Sequence, residues 1–396
     1  MVPSRRTAAV TPVTAIAWIG ALVALGVQAY RVRGFWYYGT DVEATWDGVR
    51  NLWQLGDPYA LVPGHSPFVY PPSAALLFFP AALVDNRVFV SAGLILTAVA
   101  AVALSCALAV LVGRRWASPL AALFLAITVL SSAGTETLGY ANLTWVVAAL
   151  AGWTIVAAER SRWAAVAVMT GVAVAVKPMA ATLGLILLFR RRYAALAVAV
   201  AIPVVLNLAT IPLLAAPLDF FVRVLPRVLS GATTGVGSNP SIWAFGIRHD
   251  LPAWLVLALR LLVLLGTAVV VGVAAWRRSP AHLCVIGLGA AAGLMLVVQV
   301  NQPSYGLVLL PLAASLYAVG TSVQRAVILL ASAAILACGT PGWLPTDVTM
   351  IGELALLGVA GSVTFSAAAP TRLRASWRRD ISGAAGDQTG RATVRR

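Results

Sequence analysis

The chain has 396 residues, 60% of them hydrophobic and only 10% charged, with a mean hydropathy of +0.90 and a formal net charge of +15. Soluble domains are about 45–50% apolar and about 25% charged, so a water-soluble enzyme core, a disordered chain, a collagen and a disulfide scaffold are excluded. The positive charge does not point to nucleic acid. Lys177 is the only lysine, and the arginines sit in short clusters between apolar runs rather than on a basic face interleaved with aromatics.

The first long apolar run, 12–30, follows Arg5 and Arg6. It is long and lacks a clear small-residue cleavage site, which favours an uncleaved span over a signal peptide. Further apolar runs cover 88–112, 118–135, 140–158, 163–176, 179–189, 194–215, 251–276, 280–299, 304–320, 325–338 and 348–366. Several are shorter than the roughly 20 residues of a full span, and the two flanking Lys177-Pro178 read as a broken or re-entrant pair. The expected fold is an all-α polytopic bundle of about twelve transmembrane helices, with one transmembrane domain over 1–370. Residues 371–396 read as a disordered basic cytoplasmic tail.

Starting inside and crossing once per run places nineteen Lys and Arg inside and eight outside, while nine of the thirteen acids fall outside. That is the positive-inside pattern, with both termini cytoplasmic. It leaves two long outer segments, 31–87 and 216–250, too long for simple connectors and suited to function. Cys106, Cys284 and Cys338 lie in apolar runs, giving no disulfide framework and no metal spacing.

The first outer segment carries the chemistry. Thr40 or Asp41 suits the N-cap of a helix through about Leu55, with Gly56 as its stop. Val42, Thr45 or Trp46, Val49 and Trp53 share one face, an amphipathic pattern for a helix lying on the membrane. The stretch 71–84 is too short to span and is expected on the outer membrane surface. Asp41 has two readings, a plain N-cap or a general base just above the bilayer. Lys177, an ionisable residue at membrane depth, suits a phosphate, or it snorkels to the headgroups. Arg223 and Arg227 lie four apart, on one face if helical; they suit an anionic ligand or lipid headgroups. Arg260 lies within a span and should pair with an anionic group, Glu353 if that residue lies near in space. Asn142, Asn239 and Gln302 sit at outer span ends, where amides, each a donor and an acceptor, suit a polar ligand, helix caps or interhelical bonds. His65 and His249 receive no ligand role. Glu43 and Asp47 share a helix face while Asp41 sits at the cap, so no obligatory metal is expected.

In order along the chain stand Asp41, Trp46, Gly56-Asp57-Pro58-Tyr59, Tyr70-Pro71-Pro72, Tyr140-Ala141-Asn142, Val176-Lys177-Pro178, Ser238-Asn239-Pro240 and Gln302-Pro303-Ser304-Tyr305. This series resembles glycosyltransferase family 87, of the GT-C class of polyprenol-phosphate-dependent membrane glycosyltransferases. Within the family it is most similar to the actinobacterial branch that adds α-(1→3)-linked arabinofuranosyl residues to cell-wall glycan. The resemblance covers about residues 35–330. It implies a GT-C bundle and inverting transfer of a sugar from a polyprenyl-phosphate donor to a glycan acceptor, arabinogalactan or lipoarabinomannan in type, on the outer face of the plasma membrane. Asp41 then matches the catalytic aspartate. Lys177, Arg223, Arg227 and Arg260 become candidates for donor phosphate. Trp46, Asp57, Tyr59, Tyr70, Asn142, Asn239, Gln302 and Tyr305 become candidates for sugar and acceptor. No cofactor is implied, since the lipid-linked sugar is a substrate. A polyprenyl-phosphomannose mannosyltransferase is the rival within the class. A secondary transporter or flippase is the rival outside it, with ionisable groups near the midplane of two matching halves.

Overall fold

A computed structural model describes residues 11–230, 236–277, 281–299, 301–337 and 343–366, and every regular element among them is helical. The expectations for Arg5, Arg6, Cys338 and the tail 371–396 fall outside the described residues.

Helix α1 (Pro12–Arg31) starts where the Thr11 hydroxyl accepts from the Thr14 N–H and Pro12 takes the first turn. Helix α2 (Thr40–Leu55) follows, then the short α3 (Pro72–Leu77) and the long α4 (Asn86–Leu111). The expected run 118–135 is not one straight helix. It divides at Ser131 into α5 (Pro119–Leu130) and α6 (Ser132–Gly139), bent by 71°. Ser131 lies in extended backbone, and its hydroxyl caps α6 at the Gly134 N–H, so a new helix begins there. Next come α7 (Thr144–Glu159) and α8 (Trp163–Val176). Lys177 then leaves the helix (φ −136°, ψ 109°), because the ring of Pro178 disfavours helical backbone in the residue before it. A 3₁₀ segment, Pro178–Leu183, leads into α9 (Gly184–Phe189), so the expected break at Lys177-Pro178 is present.

The second half holds α10 (Tyr193–Thr210), α11 (Leu225–Leu229), α12 (Ile242–Arg248) and α13 (Ala253–Arg277). Helix α14 (His282–Cys284) runs through a π turn into α15 (Ala290–Val297). A 3₁₀ segment, Pro303–Leu309, precedes α16 (Leu310–Val319), and α17 (Ser322–Leu336) packs against α18 (Trp343–Phe365).

Helices α4 and α7 form the centre, where Leu104, Trp145 and Ile155 are wholly buried. Gly152 allows the close approach, since a Cβ there would stand 3.0 Å from Ala107. Helices α10 and α13 are peripheral. Each buries only two residues, Ala199 and Thr210 in one, Val271 and Ala274 in the other, and turns leucines and valines outward. An apolar exterior with all backbone bonds kept inside helices is what a lipid solvent demands.

Among the described residues, Pro12–Gly34, Asn86–Leu111, Tyr193–Leu213, Ala253–Arg277 and Thr346–Phe365 are long and apolar enough to cross a membrane, and the bent α5–α6 pair adds a sixth if taken as one span. The other apolar runs are helices of 10–17 residues. The chain is a polytopic membrane protein by this architecture. Within the stretch 71–84, Pro72, Ser73, Ala74 and Ala75 are buried against α8 and α10, while Leu77, Leu83 and Val84 are exposed. The Ser73 hydroxyl donates to Ala175 O at 2.9 Å, and its N–H donates to Asn207 Oδ1 at 3.1 Å.

Candidate active site

Gly39 sets the start of α2. Its φ is +73°, and its N–H donates to Gly139 O at 2.8 Å, fastening α2 to the end of α6. Any Cβ there would lie 2.6 Å from Val90 Cγ1, so both backbone and space require glycine. The N-cap residue is therefore Gly39, not Thr40 or Asp41. The Thr40 hydroxyl donates instead to Tyr37 O. The Asp41 carboxylate is free of capping duty, and its Oδ2 accepts a hydrogen bond from Asn142 Nδ2. At the other end Gly56 stops the helix as expected, left-handed at φ +68°.

Asn142 reaches Asp41 through a tight turn after α6, where Ala141 adopts φ +51°. Its Oδ1 accepts from the Thr144 N–H at 2.8 Å, the Thr144 hydroxyl at 2.6 Å and Lys177 Nζ at 2.8 Å. Lys177, at the break after α8 and only 5% exposed, also donates to Thr144 Oγ1 at 2.7 Å. Its ammonium lies 4.6 Å from the centre of the Tyr305 ring and 6.0 Å from that of Tyr70. Tyr59 backs Tyr70, donating to its carbonyl at 3.1 Å. Five of the residues singled out in the sequence, Asp41, Tyr70, Asn142, Lys177 and Tyr305, thus meet in one place from five separate segments.

Burial pushes the Asp41 carboxyl up from the ordinary aspartate value of 3.8, against the opposing pull of Lys177 and of the Asn142 hydrogen bond. Burial, then the charge of Asp41, holds the Tyr70 phenol well above its usual range, so it remains a donor. The site therefore combines a carboxylate able to take a proton, a fixed cation and aromatic walls.

Two neighbours escaped the sequence reading. Thr144 completes the polar network. Glu136, one turn before Tyr140 on α6, has a buried Oε2 with no hydrogen-bond partner among the described residues and lies within electrostatic reach of Asp41. Tyr37 and Tyr140 stack beside it at 4.4 Å. An acid within an apolar run was the available signal for Glu136.

The other candidates lie elsewhere. Arg223 pairs with Asp219 and approaches Asp57 at 3.8 Å, its side chain 58% exposed. With Arg227, Tyr59, Leu61 and Phe68 it lines a cavity of about 100 Å³ between the two outer segments. Asp57 Oδ1 accepts from the Tyr59 N–H at 2.9 Å. Trp46 donates to Val84 O at 2.9 Å, beneath the Arg50 guanidinium. Arg260 donates to Val297 O at 2.7 Å, while Glu353 accepts from Asn301 at 3.0 Å, so the expected Arg260–Glu353 pair is not formed. Asn239 ties its loop to Gln299, Ser241 and Asn301, and Gln302 opens the 3₁₀ segment that carries Tyr305.

His65 and His249, given no ligand role, both make ion pairs. His65 Nδ1 meets Asp47 Oδ2 at 2.6 Å and His249 Nε2 meets Asp347 Oδ2 at 2.7 Å. Among the described residues no three His, Cys, Asp or Glu side chains group so as to hold a metal ion.

A half-buried carboxylate beside a buried ammonium, held near helix ends in an apolar helical bundle, sets this place apart from the rest of the molecule. The model of Glycosyltransferase family 87 matches residues 68–299, more than half of the chain, and the chain belongs to that family. The match takes in Tyr70, Asn142 and Lys177; Asp41 and Tyr305 lie outside it. The chain is also similar to proteins named alpha-(1->3)-arabinofuranosyltransferase. It is 41% identical over 92 residues to that of Mycobacterium tuberculosis, in strains CDC 1551 and H37Rv, covering 23% of this chain and 21% of each relative. It is 37% identical over 95 residues to that of Mycolicibacterium smegmatis, covering 24% and 21%. The similarity thus spans about a fifth of these relatives' length. No solved structure matches.

Proposed function

We propose that the protein transfers an arabinofuranosyl residue, with inversion, from a polyprenyl-phosphate donor to a cell-wall glycan. The observation that carries this reading is the Asp41–Asn142–Lys177 constellation, a carboxylate and an ammonium bridged by one amide. Asp41 takes the proton of the acceptor hydroxyl. The acceptor oxygen attacks the anomeric carbon from the face opposite the phosphate, and the carbon–oxygen bond to phosphate breaks with its electron pair on the leaving group. Lys177 stabilises that developing charge in a dry site, where such a contact is strongest. One displacement turns a β-linked donor into an α-linked product and needs no second carboxylate as nucleophile.

Tyr70 and Tyr305 wall the sugar. The cavity lined by Tyr59, Arg223 and Arg227 is where part of the acceptor glycan docks, and Tyr59 is bonded to the carbonyl of Tyr70. The charge asymmetry supports twelve crossings of the plasma membrane, both termini inside and the site outside.

The test presents the purified protein, in nanodiscs, with radiolabelled polyprenyl-phosphoarabinofuranose and with polyprenyl-phosphomannose. The expected result is transfer from the first, lowered about 10²–10⁴-fold by Asp41→Asn, the range of a positioned base. Transfer from the mannose donor alone would assign the other sugar. Near wild-type transfer by Asp41→Asn would remove Asp41 as the base.

A further inference from the structure

Half-buried Asp41 and buried Lys177 are opposite charges in one site, yet no direct ion pair joins them. Two such charges gain most from direct contact. Here the amide of Asn142 stands between them, and its orientation is fixed. The Thr144 N–H and the Lys177 ammonium are donors only, and both point at Asn142 Oδ1, at 2.8 Å each. The amide nitrogen must then face Asp41, where it donates to Oδ2.

We propose that Asn142 is a positioning residue that holds Asp41 and Lys177 apart, so that one remains a base and the other remains a cation for phosphate. This rests on the reading of Asp41 as the base. A direct pair would tie the carboxylate to the ammonium and leave neither free for substrate. The amide engages only Oδ2 of Asp41. Lys177 spends two of its three protons on Asn142 and Thr144, leaving the third. Thr144 completes the device, since its hydroxyl accepts from Lys177 and donates to Asn142.

The groups that face Asp41 from the packed elements are Lys177 after α8, Glu136 on α6, Tyr140 at its end, Tyr70 before α3, and Tyr305 in the 3₁₀ segment. Lys177 is the one cation among them. Asn142→Asp changes one atom type and keeps the volume. It removes the donor to Asp41 and sets a negative charge in its place, and both changes favour protonated Asp41.

Two measurements decide the matter. The first is the pH dependence of kcat/KM, where the acidic limb of Asn142→Asp should move to higher pH by about one unit or more. An amide that served only to bind a sugar hydroxyl would raise the acceptor KM and leave the limb in place, and that result would overturn the proposal. The second needs no turnover. In protein labelled with ¹³C at aspartate carboxyls, the resonance that vanishes in Asp41→Asn is titrated in wild type and in Asn142→Asp. An upward shift of the same size supports the bridge even if the variant is inactive, and an unchanged midpoint overturns it. If wild type fails to use the lipid-linked donor, the functional reading falls while the titration still tests the bridge.

Discussion

The ring of Tyr305 lies 4.6 Å from the ammonium of Lys177, which donates on its other sides to Asn142 and Thr144. A cation held against an aromatic face away from water gains about 2 kcal/mol. The sheath fits a compact point charge. A planar guanidinium is wider and needs a different fan of acceptors. Lys177→Arg should therefore behave like Lys177→Gln, with use of the lipid donor lost in both. Michaelis constants for the donor measure this, and retention of donor affinity in the arginine variant would show that the pocket is looser than its contacts indicate.

Removing the Asp41 charge should not weaken the fold. With its acidity lowered by burial, Asp41 binds its proton more tightly folded than unfolded. Folding stability therefore falls as pH rises from 3.8 through the elevated folded value. Asp41→Asn should melt no lower than wild type at neutral pH, and higher if Lys177 and Asn142 offset the burial only in part. Thermal melts in detergent by intrinsic fluorescence test this. A clearly lower melting temperature would mean that the carboxylate is a structural tie.

Gly39→Ala targets the seat of the base. The new methyl would occupy a left-handed residue and meet Val90. Backbone strain of this kind costs roughly 1–3 kcal/mol, and relief requires moving the first turn of α2. The expected outcome is a fall in kcat well beyond the loss of folded protein, measured on protein that survives size-exclusion chromatography. Full activity would show that the α2–α6 junction does not position Asp41.

The pair of His65 with Asp47 makes part of the first outer segment responsive to pH. Asp47 raises the histidine above its ordinary 6.5, chiefly through their hydrogen bond. A raised histidine contributes stability that is present below 6.5 and is lost as pH rises through the folded value. Hydrogen exchange in residues 57–70 should quicken over that window, after correction for intrinsic rates, and Asp47→Asn should remove the dependence. Identical profiles in the two proteins would show that the pair does not hold the segment.

Reporter fusions after Arg115 and after Arg192 should report the cytoplasm, and a fusion after Ser230 the outside. An outside signal at Arg192 would break the twelve-crossing scheme, because the region around the Lys177 break would then cross the membrane a different number of times.

Much of this was legible along the chain, and the reasons are local. Gly56 as a stop, the break at Pro178 and the helix over 40–55 follow from backbone chemistry within a few residues. Lys177 announced itself as the sole lysine in an apolar stretch, and Tyr70, Asn142 and Tyr305 lay in the motifs of the family resemblance. The remainder depends on what meets across the bundle. Asn142 bears on Asp41 and Lys177 rather than standing open, because its amide is fixed by Thr144 and by a residue 35 positions away. Gly39 outranked Thr40 as the cap because Gly139 and Val90 close around it. The burial of Ser73 depends on Asn207 and Ala175, which no local pattern announces.

Each side chain of the site stands at a joint. Asp41 follows the left-handed Gly39, Asn142 the left-handed Ala141, Lys177 the end of α8, and Tyr305 belongs to a 3₁₀ turn. A helix of 16 residues, such as α7, is about 24 Å long, so a tilt of about 3° swings its end by about 1 Å. That is the scale on which misplaced reacting groups lose about 10²-fold in rate. Tilt answers to the match between helix length and bilayer thickness. Turnover in bilayers of different lipid chain length should therefore differ, with the surrounding membrane as a mechanical setting on the chemistry.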